Sequence, residues 1–180
     1  VVGDPQPQTE EQIMRLEGEI LPAIAAIVEE YRATDYPTAI LLTGDVVWDT
    51  MAFLPRVKAM FESLGVPVYA VIGNHDHNES VANDSLAVQE YRDALGPTYY
   101  SYNIGQWHVV ALDDVIKNGP KRNDYSSGIN ATQLAWLKQD LANVDKSKSI
   151  LIGLHIPSSR RNNPGNHLSD RDALYDLVKD

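Results

Sequence analysis

The segment VPVYAVIGNHDHN, residues 66–78, joins two halves of opposite character. Its first seven residues are nearly all apolar and rich in good β-formers, the pattern of a strand buried on both faces. At Gly73 the chain turns directly into Asn74, His75, Asp76, His77 and Asn78, five polar side chains of the kinds that hold ions or move protons. A buried strand that empties into such side chains reads as a rigid support for a site.

The same reading extends outward. PTAILLTGD (37–45) is a short apolar strand ending in Gly44-Asp45, KSILIGLHIP (148–157) is another that delivers His155, and Val1-Val2-Gly3 resembles the tail of a strand just before Asp4. Between them, TEEQ (9–12) fits a capping box, and Ile13, Leu16, Ile20, Ile24, Ile27, Val28 and Tyr31 follow a helical period with Pro22 placed to kink or divide it. Further helices are predicted over about 51–64, stopped by Gly65, over 86–95, ended by Gly96-Pro97, over 130–144, and from about Asp170. Residues 98–114 favour strands, with Gly105 turning a hairpin, and 117–128 read as a polar loop. Strands alternating with helices imply βαβ units and a largely parallel sheet, whose ligand crevice lies beyond the carboxyl ends of the strands. Asp4, Asp45, Asn74, His75, Asp76 and His155 should therefore converge.

Composition narrows the function classes. The 180 residues contain no cysteine, which removes disulfides, thiolate metal sites and cysteine nucleophiles together. A net charge of -10 and a pI near 4.8 argue against binding a nucleic-acid backbone, yet leave room for a small phosphorylated substrate, because bound cations dominate the field inside a site. No apolar run reaches the length of a membrane span. The chain opens on VVGD without a methionine, so the sequence leaves the compartment open and allows an extracytoplasmic one if a leader was removed.

GDPQ, TGDVVWD, IGNHD and GLHIP, in this order and each at a strand end, resemble four of the five signature blocks of the calcineurin-like metallophosphoesterase superfamily, and the resemblance covers essentially the whole chain. It implies an α/β fold, an αββα sandwich with mixed, largely parallel central sheets. It also implies two divalent ions, Mn, Fe or Zn, and a hydroxide generated between them that hydrolyses a phosphomonoester, phosphodiester or pyrophosphate. Carried over, Asp4, Gln6 and Asp45 would hold one ion and Asp45, Asn74 and His155 the other. His75 would protonate the leaving oxygen, with Asp76 or Asp49 orienting its ring. Two departures stand out. Gln6 occupies the histidine position of D-x-H, and the closing G-H-x-H block is absent, so residues 1–180 are expected to be a catalytic domain truncated at the C-terminus and slightly at the N-terminus. Such a fragment should keep its ligands clustered with weak metal binding and little or no activity.

Individually these residues have plainer readings. Asp-Pro and Gly-Asp are turn chemistry, His155 alone could be a hydrogen-bonded core histidine, and His77 reads as a solvated loop residue. His108 reads as packed or surface. Arg160 could grip a substrate phosphate, although the default for Arg160-Arg161 is a solvated pair. The sequons at Asn78, Asn83 and Asn130 carry no weight. A competing function is a non-catalytic metal-binding or interaction domain that kept the fold. Trp48 and Asp49 break the G-D-x-x-D-R-G pattern of protein serine/threonine phosphatases, which disfavours that class.

Overall fold

The apolar side chains of β1 (Ile40–Thr43) and β2 (Val68–Val71) alternate between two separate cores, as the two-residue period of a strand requires. In the computed structural model, which describes residues 1–121, 123–159 and 167–179, β1 and β2 pair in parallel, and Val2 adds a single parallel bridge to Leu42. Ile40, Leu42, Ala70 and Ile72 face helices; Leu41, Tyr69 and Val71 face a second sheet. That sheet has the order β3-β4-β7. β3 (Tyr100–Ile104) and β4 (Trp107–Ala111) form an antiparallel hairpin turned at Gly105, and β7 (Ser149–Gly153) runs parallel to β4.

Three apolar clusters mark three interfaces. The first lies between the β1–β2 sheet and α1 (Glu10–Arg15), α2 (Leu21–Arg32), α3 (Leu54–Glu62) and α5 (Gln89–Leu95). The second, built on Leu41, Val71, Val109 and Ala111, lies between the sheets. In the third, Val110, Leu112 and Ile152 meet Leu137 of α6 (Ala131–Ala142) and Leu174 of α7 (Arg171–Val178). Helix, sheet, sheet, helix is the expected αββα sandwich. Both faces of the β1–β2 sheet are covered, and this explains why its strands read as unbroken apolar runs, whereas Ile150 and Leu151 of β7 stay exposed. The free edge of β2 is plugged by tyrosines: Tyr91 and Tyr100 hydroxyls donate to the Ala70 carbonyl at 3.1 and 2.9 Å, and the Ala70 N–H reaches Tyr100 Oη at 2.9 Å.

Several local expectations shift. The TEEQ capping box is present, but the long helix is divided by a π-helical turn at Leu16–Ile20 just before Pro22, which lacks the N–H needed to continue an unbroken ladder. The central sheet is two sheets. The helix expected over 86–95 is two, α4 (Asp84–Ala87) and α5, broken at Val88. The helix expected from 51 begins as a 3₁₀ turn, Met51–Phe53, before α3. Residues 117–128 are not simply a loop, because β5 (Val115–Lys117) and β6 (Tyr125–Ser127) pair across them as an antiparallel ribbon. β7 stops at Gly153, so His155 lies two residues past the strand. No helix among the described residues is long and apolar enough to cross a membrane.

Candidate metal centre

Asp45 anchors the site. It follows β1 through Gly44, and its two carboxylate oxygens face opposite ways. Oδ2 accepts from Gln6 Nε2 at 2.8 Å, whereas Oδ1 accepts the His75 N–H at 2.9 Å and lies 3.4 Å from His155 Nε2. The His155 ring is held by its other nitrogen, Nδ1, 3.1 Å from the Thr43 carbonyl. A carbonyl can only accept, so Nδ1 carries a proton, and in the neutral ring Nε2 presents a lone pair, the arrangement usual for a metal-binding imidazole. Nε2 lies 3.1 Å from Asn74 Oδ1 and 3.4 Å from Asp45 Oδ1. Three ligand-type atoms thus converge, a set that fits a cation when the imidazole is neutral. Asp4 Oδ1 is 3.7 Å from His155 Nδ1, and Asp4, Asp45 and His155 each offer a ligand atom within 4.8 Å of the others. Gln6, by contrast, turns its amide NH₂ toward Asp45, so its amide must rotate before its oxygen can ligate.

Two glycines are fixed by this packing. A Cβ on Gly44, whose φ is +93°, would come within 2.3 Å of His155 Nδ1, and one on Gly73 within 2.2 Å of Asp45 N and Oδ1. The glycines of TGD and GNHD are therefore spaces that bring Asp45, His155 and Asn74 together. The backbone is strained in the same place. Among the described residues, the non-glycine positions with positive φ are Asp4 (43°), Gln6 (46°), Asp45 (48°) and Asp49 (56°). Left-handed backbone costs roughly 1–2 kcal/mol for an ordinary residue and is tolerated best by Asp and Asn. Its concentration at one site marks a constellation over-determined by its surroundings.

His75 sits beside the cluster on a 3₁₀ turn, Asn74–Asp76. Its Nδ1 meets Asp49 Oδ1 at 2.9 Å, and its ring stacks on Trp48 with centroids 3.8 Å apart. Asp49 is thus the carboxylate on the ring. The alternative partner, Asp76, is turned inward, where Oδ1 accepts the Val47 N–H at 3.0 Å and Oδ2 the Gly73 N–H at 2.9 Å. Asp76 is fully buried, and its carboxylate ties the TGDVV and GNHD loops together rather than meeting the His75 ring. His77 is not a solvated loop residue; it is 1% exposed, with Nδ1 on the Gly73 carbonyl, and burial lowers its pKa. His108 is packed, bridging Asn103 and Asp140. Arg160 and Arg161 lie outside the described residues.

Sequence reasoning passed over Asp114. Its carboxylate accepts the N–H groups of His155 (3.3 Å) and Ile156 (2.8 Å), so it sets the loop that carries His155. The signal was available, because Asp113 and Asp114 also follow an apolar strand directly. Burial raises Asp113 and Asp114 to about 7, the latter despite the nearby His155 charge, and raises Asp76 to about 7 despite its backbone N–H donors. Asp4 is raised by burial too, with His155 opposing and Asp45 adding to the effect. A carboxyl whose folded pKa lies above its unfolded value stabilises the fold most below the unfolded pKa, and loses that contribution as pH rises through the folded one. In EDTA, the denaturation midpoint of the chain is therefore expected to fall between pH 4 and pH 8. A midpoint rising across that window would contradict the assignment.

The site can now be set against known proteins. The calcineurin-like phosphoesterase family model matches residues 1–180. The chain belongs to the calcineurin-like phosphoesterase family. A probable cyclic nucleotide phosphodiesterase of Synechococcus is 34% identical over 122 residues, which cover 67% of this chain and 43% of that protein; the match thus spans less than half the relative's length. The crystal structure of a dimetal phosphatase from Danio rerio superposes with a TM-score of 0.67 at 16% identity, covering 99% of this chain and 76% of that one. At that identity the second likeness concerns the phosphoesterase fold alone.

Proposed function

We propose that this phosphoesterase chain carries a divalent-metal site for hydrolysis of a small phosphorylated substrate, and that residues 1–180 belong to its catalytic domain. The supporting observation is that His155 Nε2 lies 3.1 Å from Asn74 Oδ1 and 3.4 Å from Asp45 Oδ1, which brings three ligand-type atoms to one place. Asp45, with its oxygens turned to opposite sides, would bridge two ions. Asp4 and a rotated Gln6 would complete one set, and Asn74 and His155 the other. When bound, such ions supply Lewis acidity toward phosphoryl oxygens and activate water. The chain's own contribution to bond breaking is His75. In the doubly protonated ring, with Nδ1–H donating to Asp49, the Nε2 proton would pass to the departing oxygen as a water oxygen bonds to phosphorus and the P–O bond breaks, its electron pair staying on that oxygen and the imidazole becoming neutral. Arg160 would contact the substrate phosphate.

The Synechococcus relative, a probable cyclic nucleotide phosphodiesterase, suggests a cyclic phosphodiester. In the full-length protein, hydrolysis of bis-p-nitrophenyl phosphate, p-nitrophenyl phosphate and a 3′,5′-cyclic nucleotide should be compared with Mn²⁺ and with EDTA. Mn²⁺-dependent release from at least one ester, lost in EDTA, is the expected result. Gln6 in place of histidine favours a second reading, a metal-binding domain without catalysis. Stoichiometric Mn²⁺ binding with no hydrolysis of any of the three would establish that reading instead.

A further inference from the structure

Trp48 and Asp49 are consecutive residues, and both touch the His75 ring. Asp49 meets Nδ1 at 2.9 Å, while the Trp48 indole lies against the ring face at 3.8 Å between centroids and 18° between planes. In extended chain, neighbouring side chains point to opposite sides. Here the left-handed backbone at Asp49, φ 56°, lets two neighbours turn onto one imidazole. The segment is itself tied down. The Trp48 N–H donates to the Pro7 carbonyl at 3.3 Å, the Asp49 N–H donates to the His75 carbonyl at 3.1 Å, and the Thr50 hydroxyl donates to the Trp48 carbonyl at 3.2 Å.

We infer that Trp48 is a positioning residue for His75: its indole face blocks the ring from swinging out of plane, so that Nε2, the ring nitrogen not held by Asp49, stays aimed at the leaving oxygen. The inference rests on the proton-donor role proposed for His75. Asp49 alone does not fix the ring, because a single hydrogen bond at Nδ1 still permits rocking about the bond to Cβ. A flat aromatic contact removes that freedom. Stacking of this kind contributes enough to alter a positioned step by about two- to tenfold.

The Mn²⁺-loaded protein is assayed with phenyl phosphate, a poor leaving group, and with p-nitrophenyl phosphate, a good one. Trp48→Leu should lower kcat about two- to tenfold on phenyl phosphate, with less effect on the nitrophenyl ester and KM unchanged. Trp48→Phe, which keeps a flat face, should restore most of the rate. In the His75→Ala background, Trp48→Leu should cost nothing more, because its effect passes through the imidazole. A separate readout needs no turnover. In the metal-free chain the His75 ring-proton resonances, identified by their loss in His75→Ala, should lie upfield through the indole ring current and move downfield in Trp48→Leu. An additive double-mutant cycle, a Phe variant as slow as Leu, or ring resonances that do not move would each overturn the inference while leaving the His75 role standing. A fully active His75→Ala would overturn both.

Discussion

Replacing His75 with alanine is expected to leave metal content unchanged and to slow turnover by about 10²–10⁴-fold, the usual worth of a positioned proton donor. Metal content should survive because the link between His75 and Asp45 is made by the backbone N–H, at 2.9 Å, which alanine retains. The His75 ring itself is held by Asp49 and Trp48, not by Asp45, Asn74 or His155. The loss should be largest for alkyl and phenyl esters and should shrink for nitrophenyl esters, whose leaving oxygens need little protonation. Equal losses on both would replace the proton-donor role with electrostatic stabilisation of the phosphoryl oxygens.

In the full-length protein, Asp45→Asn is expected to abolish occupancy by two metal ions. Asparagine keeps the side-chain shape and tolerates the left-handed backbone at φ 48°, but it loses the charge and replaces one acceptor oxygen with an NH₂ donor. Among the described residues, Asp45 is the carboxylate whose oxygens face both halves of the cluster, Oδ2 toward Gln6 and Oδ1 toward His155. Elemental analysis after loading with Mn²⁺ checks this, and an unchanged metal-to-protein ratio would refute the bridging assignment.

The legible part of the site was its ligand inventory. Asp4, Asp45, Asn74 and His155 each follow an apolar stretch, and a parallel sheet delivers the ends of its strands to one edge, so their meeting could be read before any coordinates. Asp114 obeys the same rule and was missed only because no motif names it. The partner of the His75 ring was not legible. Asp76 is adjacent in sequence and Asp49 is 26 residues away, yet the 3₁₀ turn at Asn74–Asp76 directs the nearer carboxylate inward to Val47 and Gly73. Proximity along the chain was a poor guide because side-chain direction depends on backbone dihedrals set by the packed loop.

By itself the sequence determined the alternation of strands and helices, the apolar character of the strands, and the chemistry placed at their ends, because these follow from local periodicity and residue type. Tertiary structure alone decided that the strands divide between two sheets, since a strand covered by helix on one face and by sheet on the other has the same apolar pattern as one between two helical layers. It also decided the direction of each donor and acceptor. His155 Nε2 faces Asn74 and Asp45 because Thr43, 112 residues earlier, occupies Nδ1. Trp48 and Asp49 converge on one ring because Asp49 adopts a left-handed conformation that the packed site imposes. Both are consequences of contacts between residues distant along the chain, which no local pattern encodes.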